Sequence, residues 1–212
     1  MLKTFLSCSV AALFSLVHIT ASSQTILLSE DFEGGPFPLG WSQSSNASDG
    51  GWILGTDVEL ESQYWAIAEH GNFIATNDDA CDCDKSVDYL ITPSLDLSNA
   101  NGAVLQFENY FDGGSLFGGT EIATIEYSTD GGSTWTILEQ ILGTDDADWD
   151  TQSIDLSSIA GNSNVLIAFH YYDDGEWLFG WAIDDVLVFE LEGLDLALSN
   201  ISVDAIINVP ME

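Results

Sequence analysis

The chain has 212 residues, 46% of them hydrophobic, with 7 Trp, 6 Tyr and 11 Phe, enough for a packed core and too many for a disordered acidic tail. Its charge is lopsided, 35 Asp and Glu against two Lys and no Arg, for a formal net charge of −33. Phosphate binding needs many cations, so nucleic acid and anionic membrane are excluded as direct partners, and the self-repulsion needs bound divalent cations, external salt or wide carboxylate spacing to offset it.

Taken in chain order, the sequence opens on Met1-Leu2-Lys3, an apolar run centred on 10–19, and small residues at Thr20, Ala21, Ser22 and Ser23. That order of charge, apolar run and small residues predicts a secretory signal peptide over 1–23, and the run is short for a membrane span. Cys8 precedes most of the run, which argues against a lipoprotein cleavage site. The expected localisation is secreted, extracellular or cell-surface, with no membrane insertion after signal removal. Lys3 leaves with the signal, so Lys85 is the one basic residue of the exported chain.

A single domain is expected over 24–192. Apolar and β-branched runs alternate with Gly, Asn, Asp and Ser clusters, predicting an all-β sandwich or barrel. Strands are predicted over 26–32, 52–54, 64–68, 73–75, 89–91, 103–110, 121–128, 134–140, 151–156, 165–172 and 181–191, with one possible helical turn over 156–160. In 121–128, Ala123, Ile125 and Tyr127 alternate with Ile122, Thr124, Glu126 and Ser128, predicting one face on a core and one in water. The apolar run 165–169 suits a central strand covered on both faces. Beyond Gly193 a new alternating pattern begins, so 193–212 is expected to be a linker or the first strand of a following domain.

Acids gather at predicted strand ends: Asp31 and Glu33 at the end of the first strand, Asp49 before Trp52, then Asn77-Asp78-Asp79, Asp82, Asp84 and Asp88, and finally Asp184-Asp185. In a strand at least one of Asp184 and Asp185 points inward, and an inward carboxylate needs a cation or donors. Calcium takes six to eight oxygens from carboxylates and carbonyls, so it is the expected cofactor, with Asp31, Asp78 and Asp184 among its candidate ligands. Backbone donors and solvent are the alternative. Cys81 and Cys83 admit a small-ring disulfide, two free thiols or metal ligation; for zinc, only His70 and His170 remain as further soft ligands. Residues 128–135, Ser-Thr-Asp-Gly-Gly-Ser-Thr-Trp, fit the Asp-box pattern, which is physically a hairpin with Asp130 bonding amides across the turn and Trp135 beneath it.

The strings Glu30-Asp31-Phe32-Glu33, Pro38-Leu39-Gly40-Trp41 and Gly51-Trp52 resemble the opening of the cleaved-adhesin and choice-of-anchor jelly-roll domains of secreted Bacteroidota proteins. Those include the gingipains, with the eukaryotic MAM domains more distantly similar. The stretches 88–98, 127–135, 154–161 and 180–186 continue the likeness, which spans about 26–191. The resemblance implies a jelly-roll β-sandwich of two antiparallel sheets, with calcium near the first strand and the final Asp-Asp strand. Carried over by motif, Glu33, Asp49 and Asp185 are the implied metal ligands, although Ser and Asn stand in the 46–49 loop where gingipains have several acids.

Enzyme readings find little support: there is no G-x-S-x-G elbow, no H-E-x-x-H and no phosphate-binding glycine loop. The sequence therefore predicts a non-enzymatic, calcium-stabilised binding or adhesion module, part of a larger protein, whose partner is a host or matrix protein or a glycan. The alternative is a carbohydrate-binding module attached to a secreted hydrolase, with Trp149 and Trp177, and also Trp41 and Trp65, as candidate stacking residues. Trp52, Trp135 and Trp181 are expected to serve the core.

Overall fold

The structure, a computed structural model, describes residues 24–116, 118–144 and 148–191. The signal segment 1–23 and the 193–212 pattern lie outside the described residues. Twelve strands are described: β1 Ile26–Glu30, β2 Ser42–Ser44, β3 Ile53–Thr56, β4 Asn72–Asn77, β5 Asp88–Ile91, β6 Ala103–Tyr110, β7 Gly114–Leu116, β8 Gly119–Ser128, β9 Thr136–Ile141, β10 Asp150–Asp155, β11 Leu166–Tyr172 and β12 Gly180–Glu190. Two one-turn helices, α1 Asp57–Leu60 and α2 Asp78–Cys81, sit in loops, and a 3-10 turn at Ser157–Ile159 falls where a helical turn was expected. None of these helices is long and apolar enough to cross a membrane.

The strands form two antiparallel six-stranded sheets, a jelly-roll sandwich. One sheet runs β10-β6-β12-β4-β3, with β1 also on β12, and the other runs β2-β5-β11-β8-β7, with β9 also on β8. Between them Trp52, Phe107, Phe169 and Trp181 interlock, with Trp181 centroids 5.6 Å from Trp52 and 5.8 Å from Phe169. Truncating one such aromatic to Ala costs about 3–5 kcal/mol. The central position of β11 between β5 and β8 accounts for its unbroken apolar run.

Three expectations are corrected. Residues 64–68 form no strand: Trp65 and Ile67 are buried, but the Ala66 and Ala68 carbonyls accept from Tyr110 Oη and Trp149 Nε1 instead of from a ladder. This segment lies over the outer face of the first sheet, where Trp65 and Ile67 pack with Phe73, Ala75 and Tyr110. In β8, Thr124, Glu126 and Ser128 are buried, not solvated: His170 of neighbouring β11 lies over Glu126, with Nδ1 2.8 Å from Oε1, and Ser128 Oγ accepts from the Gly132 amide of the Asp-box loop. Trp135 is half-buried and stacks on Tyr89 instead of entering the core.

Candidate metal centre

Strands β1 and β4 lie head to tail along one edge of β12. Glu30 faces Val186 and Ile74 faces Ile183, so the two partners meet opposite Asp184 and Asp185. On the other edge the β12–β6 register shifts between Asp184 and Leu187, a bulge of the kind that re-aims side chains. Asp185 accordingly adopts the left-handed region (φ 47°), and so does Phe32 (φ 49°) where β1 gives way to its loop. The bulge separates the acid pair: Asp184 is 3% exposed, while the Asp185 side chain is open to solvent.

Asp31 and Glu33, just past β1, bring two more carboxylates to this seam. Glu33 is fixed by Asn72, whose backbone N–H donates to Oε1 at 3.1 Å and whose Nδ2 donates to Oε2 at 2.8 Å. Gly71 is required beside it: its φ is +76°, and a β-carbon there would collide with Glu33 Oε1. The Asp184 carboxyl is pushed up to about 8, first by burial and then by the charges of Asp185, Glu33 and Asp31, against the hydrogen bond from the Asp185 amide. Nearby, His70 Nε2 lies 3.6 Å from Asp184 Oδ2 and 3.9 Å from Asp185 Oδ2, with its ring stacked on Trp149 at 4.5 Å. One ligand atom from each of His70, Asp184 and Asp185 fits within 4.8 Å of the others. Two carboxylates and one imidazole, with no lysine or arginine among the contacts described, are donors that a divalent cation accepts.

The remaining predicted ligands lie in a second acidic group. Asp49 chelates Lys85, whose Nζ donates to Oδ1 and Oδ2 at 2.9 and 2.8 Å and lies 3.4 Å from Asp88 Oδ2. The Lys85 and Asp88 side chains are wholly buried. Asp88 also accepts from Thr76 Oγ1 at 2.7 Å and from Ser45 Oγ, and Asp173 accepts from the Lys85 amide at 2.7 Å. Asp78 is buried nearby and pushed up to about 7, first by burial, then with Asp173 adding to the rise and Lys85 opposing it. Cys81 and Cys83 form a disulfide, with Cα atoms 5.1 Å apart, so of the three readings open in the sequence this structure takes the small-ring bridge.

The structure thus brings Asp184 and Asp185 together with His70, sets Asp31 and Glu33 near enough for their charges to raise Asp184, and places Asp49 and Asp78 elsewhere. Sequence reasoning weighed His70 only as a zinc ligand beside the cysteines and missed its place at Asp184 and Asp185, which comes only through the β4–β12 register, and it missed that Lys85 is internal. Among the candidate stacking residues, Trp41 and Trp65 are core residues at 7% and 1% exposure, Trp149 is a half-buried wall of the seam, and Trp177 is exposed.

No curated protein matches the sequence. The K3 cleaved adhesin domain of Lys-gingipain from Porphyromonas gingivalis matches with a TM-score of 0.55 at 18% identity, covering 78% of this chain and 100% of that one. The K1 domain of the same protein matches with a TM-score of 0.52 at 22% identity, covering 78% and 98%. The CBM22-1 xylan-binding domain from Paenibacillus barcinonensis gives 0.51 at 15% identity, covering 82% and 99%. At these identities the solved structures establish the shared jelly-roll fold. A family model described as Reelin subrepeat B matches residues 80–188, just over half of the 212. That stretch carries the disulfide loop, Lys85, the Asp-box hairpin and the Asp184-Asp185 bulge, and the chain belongs to the Reelin subrepeat B family.

Proposed function

We propose that the chain is an extracellular, non-catalytic binding module whose sandwich is tied together by a calcium ion at the β1–β4–β12 seam. The observation that carries this reading is the gathering of Asp185, Glu33 and Asp31, from two segments of the chain, around the buried Asp184, with His70 beside them. Asp184, Asp185, Glu33 and Asp31 would hold the ion, and its charge would offset the burial and the neighbouring charges that otherwise hold a proton on Asp184. The ion's work is structural: it fastens the loop after β1 and the start of β4 to the final strand. Export fits the 1–23 segment and the Cys81–Cys83 bridge, since disulfides persist in oxidising compartments.

Calcium titration by calorimetry, with melting in calcium and in excess EDTA, tests the metal. Binding with a raised melting temperature is expected in the parent and is lost in Asp184→Asn. Identical melting in calcium and EDTA, with no heat of binding, overturns the reading. The partner is a protein or a glycan; for either, the exposed aromatic candidates narrow to Trp177 and its neighbour Tyr64, 37% and 59% exposed.

A further inference from the structure

The loops after α1, after β4 and before β12 converge at the end of the sandwich opposite the β10–3-10 turn. Asp79 stitches them: its Oδ2 accepts from the Tyr64 amide at 2.8 Å and its carbonyl accepts from Trp177 Nε1 at 3.2 Å. The Asp78 and Asp79 amides both donate to the Phe179 carbonyl, and the Cys81–Cys83 bridge closes the middle loop. On this frame Tyr64 and Trp177 stand exposed together, with ring centroids 5.6 Å apart at 74°. The carboxylates of Asp82, Asp174 and Glu176 are exposed on the same loops, the first two from residues in the left-handed region (φ 48° and 60°). The one cation of these loops, Lys85, is turned inward and wholly buried.

We infer that this loop end docks a Lys- or Arg-bearing segment of a partner protein, an inference that rests on the binding-module reading and names its partner chemistry. An ammonium or guanidinium group gains from an aromatic face and from surrounding carboxylates, whereas a neutral sugar gains only from the ring. An exposed tryptophan on loops that also carry exposed acids is therefore better matched to a cation. No basic side chain of this chain competes for the site among the described residues, and the stitched loops are pre-organised, which lowers the cost of docking. Diffuse attraction over so acidic a surface is the process to be separated from a defined site, and position along the sandwich separates them.

The test titrates a short oligo-arginine peptide into the purified chain, with calcium present, following calorimetric heat and tryptophan fluorescence. Expected are binding that weakens with salt, a loss of about fivefold in Trp177→Ala and in Tyr64→Ala, and a comparable loss in the Asp174→Asn, Glu176→Gln double variant. Asp155→Asn, which removes one charge at the far end of the sandwich, leaves the affinity unchanged. The inference is overturned if Asp155→Asn weakens binding as much as Trp177→Ala does, if the peptide does not bind, or if a neutral xylo-oligosaccharide binds through Trp177 in its place. Calcium-dependent melting of the same samples reports separately on the seam, so failure of the docking site is not confused with failure of the metal reading.

Discussion

The two acidic groups of this domain meet the same electrostatic difficulty in opposite ways. Around Lys85, Asp49 and Asp88 have a fixed internal cation and Asp173 accepts backbone and hydroxyl donors, so the group closes on itself. At the seam, Asp31, Glu33, Asp184 and Asp185 have His70 and a few amide donors. Apart from Asp78, whose Oδ1 is buried without a hydrogen-bond partner, the first is complete when the chain folds. On the proposed reading the second is completed by a soluble ion, so its contribution to stability depends on that ion's concentration, which that of a buried lysine does not.

Breaking the closed group is expected to have the largest effect. Lys85→Met leaves Asp49 and Asp88 without their cation in a site that is fully buried at Asp88. Loss of one partner of a buried pair costs about 3–5 kcal/mol, so the denaturation midpoint falls sharply and added calcium does not restore it. The open group should respond in the reverse pattern. Calcium at a hundredfold excess over its dissociation constant adds about 2.7 kcal/mol, a rise of roughly 5–10 °C for a domain of this size. In EDTA near neutral pH, Asp184→Asn should melt higher than the parent because it removes a carboxyl that folding must bury and protonate, and calcium should no longer move it. If Lys85→Met were rescued by calcium, or if Asp184→Asn destabilised the EDTA form, the distinction between the two groups would collapse.

A third carboxylate, Glu121, sharpens the comparison because it is buried without a counter-cation. Its Oε1 accepts from Tyr171 Oη and the Phe179 and Gly180 amides at 2.7 to 2.8 Å, yet burial outweighs those donors and pushes the carboxyl from 4.5 to about 7. The folded state therefore keeps a proton that the unfolded chain releases. Below about 4.5 both states are protonated and the group is neutral to stability; between 4.5 and 7 stability falls as pH rises, and above 7 the cost is complete. Glu121→Gln keeps an oxygen for the three donors and should gain about 2 kcal/mol over the parent at pH 8 while matching it near pH 4. Denaturant melts at the two pH values, in EDTA, check the slope; equal gains at both would remove ionisation as the cause.

Much of the fold was legible because strand period and turn residues are local signals. The 103–110 prediction coincides with β6, and the predicted strand over 165–172 differs from β11 by one residue. Residues 64–68 deceived because burial alternates there while the backbone is held by side chains of distant elements, which no window can register. The seam was half legible. Glu33 and Asp185 came through family motifs and Asp184 through its place between apolar strand residues, but His70 has no local signal: its partners are 114 and 115 positions away in sequence. Asp49 was placed with them because a motif gives order along the chain without saying which loop crosses to which sheet edge. Lys85 was counted as a charge, and its burial became visible only with Asp88 three residues on in the same pocket.

The smallest expected effect tests whether Glu33 is positioned or merely nearby. Gly71 combines a left-handed φ of +76° with contact against Glu33, so Gly71→Ala carries two costs that separate experimentally. Backbone strain, about 1 kcal/mol for a non-glycine residue in that region, lowers stability equally in calcium and in EDTA. Displacement of the Glu33 carboxylate lowers calcium affinity, by about tenfold if one charged ligand is lost, and so appears only as a smaller calcium-induced rise in melting temperature. Glu33→Gln should reproduce the second effect without the first, because its amide oxygen can still accept from the Asn72 N–H. Calcium titrations of the two variants beside the parent decide it: matching affinities in all three would mean that Glu33 serves only to hold Asn72 at the start of β4, leaving the ion to Asp31, Asp184 and Asp185.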